Sequence, residues 1–135
     1  MGQKIAVLKD MFTFTLDTNA IIYYLKGDRK TSDHIEEILK NNPSIYVSTI
    51  TEVELFGYSK ITEMEAFQIE KILETVSIIP LDSRIARMAA RVRQLYKLKT
   101  ADSVIAATAL FTGSVLVTRN VKDFSKVTDL KVKSI

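Results

Sequence analysis

Phe12-Thr13-Phe14-Thr15-Leu16-Asp17-Thr18-Asn19 sets a β-branched and aromatic run directly against three residues suited to opening a helix. Working outward, a helix is expected over residues 21–25 until Gly27-Asp28 breaks it. Ser32 and Asp33 then precede a helix with Ile35, Ile38 and Leu39 at spacings of three and four, closed by Asn41-Asn42-Pro43. Ile45-Tyr46-Val47 reads as the second strand. Thr49 with Glu52 has capping-box spacing and starts a helix to about Tyr58; Thr62 with Glu65 starts another to about Thr75. Residues 76–81 form a third strand, and Asp82 caps an amphipathic helix to about Lys97. Thr100 opens an alanine-rich helix to Phe111, which Gly113 stops. Val115-Leu116-Val117 is a fourth strand, residues 121–126 hold a helical turn, and Lys131-Val132-Lys133 is a fifth strand.

Short, mostly apolar strands alternating with helices require crossover connections, and those crossovers cover both faces of a parallel sheet. The expected fold is α/β: a three-layer α/β/α sandwich around a central, mainly parallel five-stranded sheet. At 135 residues the chain makes one domain, 1–135, in which residues 1–11 are an extra strand, a tail or an expression artefact. Ligands of such sheets bind beyond the carboxyl ends of the strands.

Composition narrows the chemistry. No cysteine is present, which excludes thiol nucleophiles, disulfides and cysteine-zinc sites. The single histidine, His34, excludes two-histidine acid–base catalysis within one chain, so hydrolysis must rest on carboxylates and a hard metal ion. A net charge of +3 suits a polyanionic partner without identifying one. No apolar run is long enough to span a bilayer and none at the N-terminus resembles a signal peptide, so a cytoplasmic protein with no membrane partner is expected.

Among the acids, Asp82 is explained by its cap and Glu52 by its capping box. Glu54 falls at 100° per residue between Ile50 and Tyr58, in an arc shared with Val53, Leu55 and Gly57, so it is expected to face the protein. A carboxylate buried there needs a cation. Asp17 ends the first strand, and Asp102 lies in the first turn of a helix that is apolar all round. Asn120 and Asp123 follow the fourth strand. Each has an ordinary role as cap or dipole partner; three or four acids delivered to one sheet edge need a cation between them. Hard oxygen ligands favour Mg2+ or Mn2+.

These residues resemble the PIN-domain family, most closely its VapC-type toxins. The resemblance is carried by Leu16-Asp17-Thr18-Asn19-Ala20-Ile21-Ile22-Tyr23-Tyr24-Leu25, Ser48-Thr49-Ile50-Thr51-Glu52-Val53-Glu54-Leu55, residues 101–110 and Leu116-Val117-Thr118-Arg119-Asn120-Val121-Lys122-Asp123-Phe124. It implies an endoribonuclease dependent on Mg2+ or Mn2+, with Asp17, Glu54 and Asp102 in the family's acidic positions. Asn120 stands where many relatives carry aspartate, with Asp123 three residues on, and both are carried as metal ligands. Thr18, Asn19 and Thr118 match supporting polar neighbours. The implied partners are RNA, a VapB-like antitoxin whose tail inserts into the acidic groove, and a second copy, giving a homodimer and a heterooligomer. Arg84, Arg87 and Arg91, spaced by three and four, form a basic stripe that either grips RNA phosphate or is a solvated helix face; Arg93, Lys97 and Lys99 lie nearby. Tyr23 and Tyr24 are expected to serve as packing or dimer contacts. Two alternatives remain: a catalytically inactive PIN-like scaffold that binds RNA or protein, and a phosphoacceptor receiver domain. The receiver fits less well, because Asp17 stands alone where paired acids are expected.

Overall fold

The computed structural model describes residues 13–135; Phe12 and the segment 1–11 lie outside them. Strand β1 (Thr13–Leu16) leads into helix α1 (Thr18–Leu25) and α2 (Arg29–Leu39), followed by β2 (Ser44–Ser48), α3 (Thr49–Phe56) and α4 (Glu63–Leu73). Then come β3 (Ser77–Ile79), α5 (Ser83–Tyr96), α6 (Thr100–Thr112), β4 (Val115–Thr118), the short α7 (Val121–Phe124) and β5 (Val132–Ser134). The five strands form one sheet of order β3-β2-β1-β4-β5, and every pairing is parallel. Among the described residues no helix is long and apolar enough to cross a membrane.

Period-two alternation divides the core between the two faces. Phe14 and Leu16 of β1, Val47 of β2 and Val117 of β4 pack with Ala20, Ile21, Ile35, Ile38, Leu55 and Ile69. Leu116 points the other way, against Val92 of α5, Ile105, Ala106 and Ala109 of α6 and Phe124 of α7. Because both faces are covered, β4 opens on the apolar run Val115-Leu116-Val117 and β1 is buried throughout, apolar except at its threonines. The exceptions in β1 are satisfied: Thr15 is fully buried, and its hydroxyl lies 2.6 Å from that of Ser114. Helix α6 crosses the middle of its layer, with residues Ser103 through Ala109 all buried.

Two expectations are corrected. Helix α2 begins at Arg29 rather than after Ser32, because Asp28 is its N-cap and accepts from the Thr31 N–H at 3.0 Å. Ser48, not Thr49, caps α3, its hydroxyl accepting from the Ile50 N–H; the Thr49 hydroxyl instead accepts from the Leu81 N–H, so no Thr49–Glu52 capping box forms. The Thr62–Glu65 capping box and the Asp82 cap are present as expected.

The order β3-β2-β1-β4-β5 makes β1 the strand from which the chain departs in both directions. The crevice beyond the carboxyl ends of β1 and β4 is therefore the switch point at which this class of sheet binds ligands.

Candidate active site

Asp17 follows the last residue of β1 and caps α1, so one residue ends the strand, starts the helix and places its carboxylate in the crevice. It is 3% exposed. Two donors hold it: the Ala20 N–H bonds Oδ1 at 3.0 Å, and the buried Thr118 hydroxyl at the end of β4 donates to Oδ2. Thr118 Oγ1 in turn accepts from the Asn120 N–H at 2.9 Å, which fixes the turn after β4. A carboxylate buried this far is tolerable only with such donors.

Glu54 reaches the crevice from α3, where Thr18 Oγ1 lies 2.6 Å from its Oε1 and 3.0 Å from the fully buried Thr51 hydroxyl. Its expected burial is not observed. Glu54 is an exposed residue and Val53 beside it is 64% exposed, whereas Thr51 and Leu55, four apart, form the buried seam. The helix spans eight residues and nothing among the described residues covers the Val53 side. Glu54 therefore enters the site from the rim, tethered by Thr18.

Asp102 projects from the first turn of α6, a helix start that lacks a side-chain cap bond. Burial pushes its carboxyl above the ordinary aspartate range, and the neighbouring charges of Asp17 and Glu54, then Asp123, push the same way while Lys99 opposes them. The four acids thus share one electrostatic neighbourhood. Asp123, on α7, accepts from the Asn120 amide at 3.0 Å and lies 3.7 Å from the exposed Lys126. Among the described residues none of Asp17, Glu54 and Asp102 is ion-paired to lysine or arginine.

Among the described residues no three or more acids or histidines stand close enough together to hold a metal ion as they are placed. The donors are all oxygen, and Asp102 has its carboxyl raised by burial and like charge, so the site's chemistry fits a hard divalent ion.

Of the supporting residues named from sequence, Thr18 and Thr118 each hold a carboxylate, and Asn19 is exposed. The basic stripe is not brought to the acids as a unit. Arg84 pairs with Asp82 at 3.1 Å and lies over the Phe111 ring at 4.9 Å. Phe111 is nine residues beyond Asp102 on α6, about 14 Å along the axis at a rise of ~1.5 Å. Arg87 and Arg91 are exposed. Sequence reasoning missed a cluster on the rim. Arg119, between Thr118 and Asn120, pairs with Asp28 at 2.7 Å and stacks over Tyr23 at 4.0 Å. The Thr31 backbone N–H and then Arg119 hold the Asp28 carboxyl below its usual value. Tyr23 and Asp28 are five residues apart on the far side of Gly27 from each other, so no sequence periodicity joins them to Arg119.

A family model described as PIN domain matches residues 14–130. The chain belongs to the PIN-domain family. "Ribonuclease VapC1" of Haemophilus influenzae (strain R2866) is 32% identical to it over 128 residues, covering 87% of this chain and 94% of that protein. Among solved structures, VapBC-1 from nontypeable Haemophilus influenzae has a TM-score of 0.74 at 31% identity, over 90% of this chain and 97% of that one. A toxin-antitoxin complex from Klebsiella pneumoniae has a TM-score of 0.73 at 32% identity, over 86% and 93%. This likeness places the PIN domain in the VapC branch and sets the receiver alternative aside.

Proposed function

We propose that this PIN domain is the ribonuclease toxin of a VapBC-type pair, and that it cuts RNA phosphodiester bonds at a Mg2+ or Mn2+ site held by Asp17, Glu54, Asp102 and Asp123. The observation that carries this reading is the gathering of Asp17, Glu54, Asp102 and Asp123 in one crevice at the sheet edge, with no lysine or arginine ion-paired to the first three among the described residues. Such an ion, when bound, activates a water and stabilises charge developing on the phosphodiester. The chain's own residues do the positioning. Ala20 and Thr118 lock Asp17, Thr18 aims Glu54, and the Asn120 amide orients Asp123. Asp123 rather than Asn120 takes the fourth acidic position, because its charge acts on Asp102 while Asn120 spends its amide on Asp123.

The relatives' names supply the RNA substrate and the antitoxin. An antitoxin partner is further supported by exposed apolar side chains on α3, the loop after it and α4: Val53, Tyr58, Met64 and Phe67 are each more than half exposed. The test is metal binding and cleavage of a labelled RNA by wild type, Glu54→Gln and Asp102→Asn. Both variants should remain folded and lose cleavage. Wild type that binds RNA without cutting it under Mg2+ or Mn2+ returns the scaffold alternative.

A further inference from the structure

A groove of about 690 Å3 runs between α5 and α6, and its lining includes Thr100 and Ser103 from the first turn of α6, the turn that also carries Asp102. Its polar lining is Arg93, Gln94 and Lys97 from α5 and its end, with Thr100 and Ser103 from α6. Its floor is apolar, from the alanines of α5 and Leu98. Arg93 on α5 and Lys97, the left-handed cap that ends it, both line the groove, and Lys99, two residues beyond Lys97 and outside the lining, is close enough for its charge to act on Asp102. All three cations are exposed, and among the described residues none of them is ion-paired. The cations nearer the other end of α6 or across the crevice are already engaged: Arg84 by Asp82, Arg119 by Asp28.

A crevice of four acids repels the phosphate backbone on either side of a scissile bond, so substrate affinity has to come from cations just outside it. We infer that the α5–α6 groove carries the single-stranded RNA segment flanking the cut, with Arg93, Lys97 and Lys99 each neutralising one backbone phosphate. The inference rests on the ribonuclease reading above. A cationic rim over an apolar floor matches a single strand, which offers phosphates and unpaired base faces together. A second copy of the same groove is the poorer occupant, because it would set Arg93 and Lys97 against their own kind.

The test compares wild type with Arg93→Gln/Lys97→Asn/Lys99→Gln; asparagine is used at position 97 because Lys97 has φ 57°, a left-handed backbone that asparagine accepts. Binding of a short labelled single-stranded RNA is followed by anisotropy in chelator across a salt series, and cleavage with Mn2+ is measured in parallel. Each phosphate contact contributes about 0.7 to the slope of log affinity against log salt for single strands, so the triple variant should be shallower by about 2. Its KM should rise, and in the Arg93→Gln/Lys97→Asn pair, which keeps the Lys99 charge beside Asp102, KM should rise while kcat stays within about twofold. Arg93→Lys/Lys99→Arg should keep the wild-type slope, and Arg84→Gln/Arg87→Gln should not change it. An unchanged slope in a folded triple variant overturns the inference, as does an equal loss from the Arg84→Gln/Arg87→Gln variant. A change of oligomeric state with the slope intact overturns it in favour of self-association. Wild-type protein that binds with the full slope yet never cuts refutes the ribonuclease reading and leaves the groove standing.

Discussion

Replacing Thr118 with valine removes one hydroxyl from the centre of the site and almost nothing else. Thr118 is fully buried at the end of β4; its hydroxyl donates to Asp17 Oδ2 and accepts from the Asn120 N–H. Valine keeps the shape and leaves no cavity, so the loss is one hydrogen bond to a charged group, with a backbone donor left unpaired. Hydrogen bonds to charged groups contribute about 1.5–3 kcal/mol, and for a domain of this size about 2 kcal/mol lowers the melting temperature by roughly 6–8 °C. Asp17 would retain only the Ala20 N–H, and loss of a partner that orients a metal ligand reduces metal affinity or activity by roughly 10–100-fold. Thermal unfolding in chelator gives the first quantity; Mn2+ titration and RNA cleavage give the second. Thr118→Ser, which keeps the hydroxyl, should sit near wild type in both. A Thr118→Val protein with wild-type melting temperature and metal affinity would show that this hydroxyl does not hold Asp17.

Asp102→Asn should abolish cleavage yet melt higher than wild type in chelator. The raised carboxyl means that ionising Asp102 costs the folded state stability. That cost is absent below the unfolded pKa and complete above the folded one, so the gain from the substitution should grow as pH rises from acid to neutral in melts taken across that range. Asp82→Asn should lower stability and leave kcat alone. The Ile85 N–H and then Arg84 hold the Asp82 carboxyl low, so its stabilising contribution is present above the unfolded pKa and fades as pH falls through the folded one. Thr18→Val, which frees Glu54, should reduce cleavage by roughly 10–100-fold while circular dichroism stays unchanged. Mn2+ at about 100 times its dissociation constant should stabilise wild type by about 2.7 kcal/mol and leave Asp17→Asn unmoved in a melting assay.

The sheet was legible because burial on both faces leaves β4 opening on a continuous apolar run, Val115-Leu116-Val117, and because β1, though it alternates threonine with Phe14 and Leu16, is β-branched or aromatic over three of its four residues. Asp17 and Asp102 were legible for a related reason: each sits where an apolar element begins or ends, and in a parallel sheet those junctions define the binding edge. The expected burial of Glu54 failed because a helical wheel drawn over two turns has too few points to tell the Thr51–Leu55 seam from an arc containing exposed Val53. Ser48 and Thr49 offer adjacent hydroxyls, and the choice of cap depended on Leu81, which lies 32 residues away from Thr49 and reaches it only through the fold. Periodicity placed Arg84, Arg87 and Arg91 on one helix but carried no information about their distance from the acids. The preference for Asp123 over Asn120 likewise required the amide-to-carboxylate contact between them.

The most direct measurement is cleavage of a mixed cellular RNA pool by the protein freed of any antitoxin, with Mg2+ or Mn2+, then with chelator, beside folded Asp17→Asn. The four-carboxylate site predicts discrete cuts that require the metal and vanish in the variant. Cuts that persist in chelator, or that Asp17→Asn makes as well as wild type, would contradict it.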